Sequence, residues 1–228
     1  MRLLGIVLLT LALLTGCKNA SVRSYWDDVP LLEDDIRVSE DRLAQFAELA
    51  VKAPQADAMA AIDALFDRLQ EDDVAYYVYC DWMDGAFYSI LSPCRSAMLY
   101  SKAVDRMVSD GILPSSYLDQ YVQKREWIQY NQKGAISTIP VHERSLILVL
   151  DVGCPSCREA LTKLASQTQW ADARHIAVCC GYGTIPEIPG WEYIADTHIS
   201  AMFDPKMTPL YFVVSADGTV ETTYALAL

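Results

Sequence analysis

The stretch Leu146-Ile147-Leu148-Val149-Leu150-Asp151-Val152-Gly153-Cys154-Pro155-Ser156-Cys157 decides the fold of this chain. Its first five residues are apolar without alternation, the pattern of a short strand buried on both faces. Cys154-Pro155-Ser156-Cys157 follows and opens a helix-like run through Ala160, Leu161 and Leu164. A strand feeding a Cys-x-x-Cys at a helix start is the layout of a redox dithiol. The helix N-terminus carries partial positive charge and favours a thiolate on Cys154. Two intervening residues let Cys157 attack a mixed disulfide formed on Cys154. Two other uses of the pair stay open: half of a zinc site and a structural disulfide. Zinc needs four ligands, and the sequence has no second Cys-x-x-Cys and no His-x-x-x-His.

Further along, His175 to Cys180, Trp191 to Ala195 and Leu210 to Val214 are candidate strands. Asp217-Gly218 is a hairpin turn into Thr219 to Tyr224. Strand, helix, strand, long connection, strand, hairpin, strand is a βαβ unit joined to a ββ unit. It predicts an α/β sheet of mixed strand directions. In that topology Thr208-Pro209, at the start of the Leu210 strand, comes beside Cys154. Pro209 is tolerated there because the first residue of a strand gives up no central ladder bond. A cis Thr208–Pro209 bond would leave Thr208 backbone groups able to pair with an extended substrate; a trans proline in an ordinary turn is the alternative.

Towards the N-terminus, Ser39 to Asn131 is helical in pattern. Leu43, Phe46, Ala50 and Val51 share one face, and Pro54 ends that helix. Met59, Ile62, Phe66 and Leu69 mark a second helix with Asp57 as its cap. A third runs from Asp73 through Trp82 and stops at Gly85. Ser92-Pro93 reads as a cap followed by proline at the first helical position, starting a fourth that Gly111 ends. Ser115 or Ser116 starts a fifth, which Gly134 closes. Ala135 to Arg144 reads as a linker or short edge strand.

At the chain start, Arg2 precedes the apolar run Leu3 to Leu14, and Leu14-Thr15-Gly16-Cys17 follows. This is the pattern of a bacterial lipoprotein signal, cleaved before Cys17. The apolar run is too short for a membrane span of about 20 residues. Palmitate-type acyl chains on Cys17 are expected to hold the mature chain at a membrane, with the outer membrane facing the periplasm as the expected location. The domains read as residues 1–16 signal, 17–35 polar tether, with Trp26, Val29, Leu31 and Leu32 as candidates to dock on the body, 36–134 helical domain and 135–228 α/β domain. A net charge of −12, one unit lower once Arg2 is removed, argues against nucleic acid and against electrostatic binding to anionic lipid. An oxidising compartment makes disulfides feasible for the other six of the seven cysteines.

The region from about Arg144 to Tyr224 resembles the thioredoxin family, through the dithiol after its apolar strand, Thr208-Pro209 and the closing Asp217-Gly218 hairpin. The chain as a whole is similar to Gram-negative lipoproteins that place a helical domain of unknown function before a thioredoxin-like domain. Ser92-Pro93-Cys94-Arg95 with Leu99-Tyr100, and Asn131-Gln132-Lys133-Gly134, are similar to segments of that group. The resemblance implies a thioredoxin-like mixed sheet behind an all-α part, a nucleophilic Cys154, a resolving Cys157 and a cis Pro209. Gly153 stands where many members have tryptophan, and Leu148 where many hold a buried acid that moves the proton of the resolving thiol. The family's closing helix has no counterpart after the hairpin.

The expected activity is thiol–disulfide exchange, leaning toward reduction because threonine precedes the proline. Cys154 and Cys157 are the catalytic residues, and Pro155, Ser156, Thr208 and Pro209 shape the docking edge. The expected partners are client proteins with disulfides or an upstream thiol donor; no cofactor and no metal is expected. The rival reading is a redox-inert scaffold whose thioredoxin-like part is a platform. Cys179-Cys180 reads as packing, with exchange with the dithiol as the alternative. Cys80 and Cys94 lie on consecutive predicted helices, about two turns apart along the axis in a simple hairpin, which disfavours a bridge. His142, His175 and His198 are isolated, and the aromatics from Tyr76 to Tyr88 read as packing.

Overall fold

The computed structural model describes residues 22–130, 132–181 and 187–225. The Cys17 signal pattern lies outside them. Residues up to Trp82 form one compact unit and residues from Met83 onward a second. By this grouping the last two long helices belong with the sheet, although the sequence pattern sets them with the other helices.

In the first unit, α1 (Ile36–Ala50) and α2 (Gln55–Leu69) are amphipathic helices, and α3 (Asp73–Met83) runs to its end. Leu43, Phe46 and Ala50 of α1 and Ile62, Phe66 and Leu69 of α2 are buried, whereas Val51 falls just past the helix end and is exposed. Asp57 does not cap α2. The helix starts at Gln55 behind Pro54, whose fixed φ suits a helix entry, and Asp57 pairs with Arg23 at 2.6 Å. The stretch expected as a tether is packed from Val22 onward. Trp26 is fully buried, 5.1 Å from Phe46 and 5.7 Å from Tyr79 between ring centres. Arg68 donates to the Val29 carbonyl (2.8 Å) and Tyr79 to that of Leu31 (2.6 Å). Burying one indole among aromatic rings outweighs the polar composition around it.

In the second unit, the chain continues past Met83 as a π-helical turn, Asp84–Tyr88, straight through Gly85. The turn is held where it begins. Asp84 accepts from Tyr100 (2.8 Å) and pairs with Lys124 (2.7 Å). Ser92-Pro93 does not start a helix either. The Ser92 hydroxyl accepts from the Cys94 N–H within a turn, and α4 (Ala97–Asp110) starts later, capped by Ser96 accepting from Leu99 N–H. Two serines near one helix start offer two caps, and Ser96 directly precedes the buried face of Leu99, Tyr100, Ala103 and Val104. Gly111, at φ +66°, ends α4 in the left-handed conformation. Helix α5 (Ser115–Tyr130) follows and is joined to α4 by Arg125–Asp105 at 2.6 Å.

The sheet has the order β3-β2-β1-β4-β5. Strand β1 (Ser145–Asp151) is central and parallel to β2 (Arg174–Cys180), which is parallel to β3 (Trp191–Ile194). Strand β4 (Leu210–Val214) runs antiparallel to β1, and β5 (Val220–Ala225) antiparallel to β4. Helix α6 (Pro155–Ala165) makes the β1–β2 crossover. Leu146, Leu148 and Leu150 pack with Cys157, Ala160, Leu161 and Leu164 of α6. Ile147 and Val149 pack on the other face with Ile176, Val178, Phe203 and Phe212. Each such buried side chain contributes about 1.5–3 kcal/mol. Ile139 and Val141, from the segment expected as linker, and Ile90 join this second cluster. No described helix is long and apolar enough to cross a membrane.

Candidate dithiol site

Strand β1 ends at Asp151, and a tight turn delivers Cys154 to the start of α6. The Cys154 N–H donates to the Asp151 carbonyl at 3.1 Å, and the Gly153 N–H to Asp151 Oδ1 at 2.7 Å. Cys154 occupies the N-cap position, with Pro155 first in the helix, a residue with no N–H to leave unsatisfied there. The Cys154 sulfur is half-exposed and 2.9 Å from Ser156 Oγ, whereas Cys157 is 1 % exposed against the β1 leucines.

The two thiols are driven apart electrostatically. Burial pushes Cys154 up, but hydrogen bonds from the Ser156 hydroxyl, the Cys157 thiol and the backbone N–H groups of Cys157 and Ser156 outweigh it. The net position is below an ordinary thiol. Cys157 is pushed up to about 12 by burial and by Cys154, against opposing hydrogen bonds from the Asp151 backbone and the Thr208 hydroxyl. One sulfur is therefore prepared as a thiolate and the other held as a thiol.

The Thr208–Pro209 bond is cis. Thr208 Oγ1 donates to the Pro205 carbonyl at 2.9 Å, and the pairing of Leu210 with Val149 brings Thr208 to the C-terminal end of β1. Thus Cys154, Ser156, Cys157 and Thr208 come together at the C-terminal end of β1. All six described cysteines stand as thiols. Cys179 and Cys180 pair in register with Leu150 and Asp151. Burial raises Cys179; burial, then the Asp151 charge and Cys179, push Cys180 up to about 11. Both are poor nucleophiles near neutrality, in keeping with packing. Leu148, in the place of the family's acid, is fully buried among apolar side chains. Among the described residues, no cluster of three or more His, Cys, Asp or Glu side chains is arranged to hold a metal ion.

Three residues near the site escaped the sequence. Asp151 anchors the turn before Cys154, and its carboxylate lies beside Gly153 and Gly181. Asp204 and Tyr88 are joined by a buried hydrogen bond of 2.8 Å just upstream of Thr208. Asp204-Pro205 is a readable cap signal. Nothing in the sequence pairs Asp204 with a tyrosine so far away along the chain.

No family model matches the chain, and no curated protein matches it. Among solved structures, a thioredoxin-like protein from Bacteroides caccae is similar, with a TM-score of 0.71 and 17 % identity. The likeness covers 90 % of this chain and 87 % of that one, so it extends beyond the sheet into the helices. A likeness at this identity concerns the fold, and the fold of this chain is thioredoxin-like: a mixed five-stranded sheet with its helices, preceded by further helices.

Proposed function

We propose that this protein is a thiol–disulfide oxidoreductase of the cell envelope, anchored through acyl chains on Cys17, that reduces client disulfides. The observation that carries the reading is the split within the dithiol, a half-exposed Cys154 below the ordinary thiol value and a buried Cys157 at about 12. The Cys154 thiolate attacks a client disulfide, forming a mixed disulfide, and the first client sulfur leaves and takes a proton from water. Cys157 then attacks the Cys154 sulfur. The second client sulfur leaves with the proton Cys157 gives up. Two electrons pass from the dithiol to the client, and an upstream thiol donor restores the pair. Lipid attachment, the periplasmic face of the outer membrane and the reducing direction rest on Leu14-Thr15-Gly16-Cys17 and Thr208-Pro209.

Buried Leu148, which can move no proton, favours a second reading, a redox-inert scaffold. Trapping separates the two. Expressed in a Gram-negative envelope, Cys157→Ser is expected to accumulate mixed disulfides with clients, resolved by non-reducing electrophoresis, and Cys154→Ser none. Equal trapping by both variants, or by neither, refutes the oxidoreductase and leaves the scaffold.

A further inference from the structure

A cavity of about 290 Å³ lies within the second unit, between Gln123, Lys124 and Trp127 of α5 and the segment Asp204-Pro205-Lys206. Its lining is mostly apolar. Trp127 is half-buried there, and its indole N–H donates to the Ala201 carbonyl at 2.9 Å, which fixes the ring and engages its polar edge. Pro205, exposed on the other element, adds a second rigid ring. The inner charges are already committed. Lys124 pairs with Asp84 at 2.7 Å. Asp204 Oδ1 accepts from the Lys206 N–H at 2.9 Å, and Oδ2 from the Tyr88 hydroxyl at 2.8 Å. Lys206 and Asp119, both exposed at the margin, carry opposite charges. Such a site takes an uncharged occupant, because a charged one would be desolvated without a partner.

The cavity adjoins the edge beside the dithiol. Pro205–Met207 is one 3-10 turn, Thr208 follows it, and Thr208 Oγ1 donates to the Pro205 carbonyl at 2.9 Å. Leu210 pairs with Val149, so Thr208 stands at the end of β1 that leads into Cys154. Three residues at about 2 Å of rise each set Pro205 about 6 Å from Thr208. Two residues of an extended peptide span about 7 Å and put their side chains on one face.

We propose that this cavity is a side-chain subsite for the client. A peptide lying along Thr208, with its cysteine at Cys154, places the side chain two residues away between α5 and Pro205, and the site selects an aromatic one. The proposal rests on the oxidoreductase reading, and it makes α5 one wall of the client-binding surface. The volume suits this occupant. It falls at the lower limit of the about 300–1,000 Å³ of small-molecule sites, room for one bulky ring. An aromatic ring packed edge-on or offset against Trp127 gains more than its buried area alone.

The test uses the reduced full chain and peptides joined as symmetric dimers through their single cysteine, so either sulfur attacked belongs to the same client. Each turnover oxidises Cys154 and Cys157 to a disulfide and releases two reduced peptides, followed by acid quenching and mass analysis. Phenylalanine two residues from the cysteine, on one side of it, is expected to raise the second-order rate about tenfold over serine at that position. Glutamate or lysine there is expected to give no gain. Trp127→Ala, which removes a wall, and Gln123→Trp, which fills the cavity and deletes no buried side chain, are each expected to bring the phenylalanine-to-serine ratio below about threefold. The ratio is taken on one protein preparation, so a loss of folded protein cancels. A ratio near one on both sides of the cysteine in the unmodified protein, a ratio that survives in either variant, or an equal gain from glutamate or lysine overturns the subsite while the oxidoreductase stands. An unmodified protein that reduces none of the peptides overturns the parent reading, and the subsite with it.

Discussion

Replacing Ser156 by alanine removes the hydroxyl that lies 2.9 Å from the Cys154 sulfur and leaves the helix start and its backbone N–H groups in place. A hydrogen bond to a charged acceptor contributes about 1.5–3 kcal/mol. Cys154 is half-exposed, so water replaces part of that stabilisation and the lower end applies. Ser156→Ala therefore moves the Cys154 thiol up, and at about 1.4 kcal/mol per factor of ten the lost bond is worth about an order of magnitude in thiolate population. The sign follows from the thiolate being the form that accepts the bond. The thiolate fraction near neutrality, and with it the alkylation rate, then falls by up to about tenfold. The assay is a brief iodoacetamide pulse on the reduced protein across the acid-to-alkaline range, with mass spectrometry of the Cys154 peptide. Cys157 at about 12 and Cys180 at about 11 stay unreacted over most of that range and do not mask the inflection. An inflection that stays put or moves down in Ser156→Ala refutes the assignment of Ser156 as a stabiliser of the Cys154 thiolate.

Three further outcomes are expected. Trp26→Ala, which empties a fully buried aromatic site, costs about 3–5 kcal/mol in urea unfolding; a loss under about 1 kcal/mol means the segment around Trp26 is not packed in solution. Cys157 stabilises the reduced fold as a thiol, because its folded value of about 12 lies above the unfolded one near 8.5. That contribution is full below the unfolded value and is lost as pH rises towards about 12, so the melting temperature of Cys157→Ala should fall less steeply just above pH 8.5, and parallel curves refute this. Cys17→Ala should release the protein from membranes or block its maturation, and intact-mass analysis showing an unlipidated mature N-terminus downstream of Cys17 refutes the anchor.

The sequence by itself determined the sheet elements and the centre of the site. An unbroken apolar run, a Cys-x-x-Cys, a Thr-Pro and an Asp-Gly turn are local signals, each set by the chemistry of a few adjacent residues, and the β1, α6, β4 and β5 elements follow them closely. Local signals failed where two of them competed or where a distant partner intervened. Ser92 and Ser96 both suit a helix cap, and the burial of Leu99 and Tyr100 chose the second. Gly85 suits a stop, yet Tyr100 and Lys124 hold Asp84 and carry the helix through it as a π turn. Polar residues around Trp26 suit a tether and the indole itself suits docking, but which residues receive it, Phe46 and Tyr79, is a tertiary outcome. Only the tertiary structure decided how strongly burial holds Cys157 as a thiol, that Ser156 bonds the Cys154 sulfur, and that Tyr88 serves Asp204. Those properties arise from burial and from hydrogen bonds between residues far apart in the chain, and neither is encoded in any local stretch of residues.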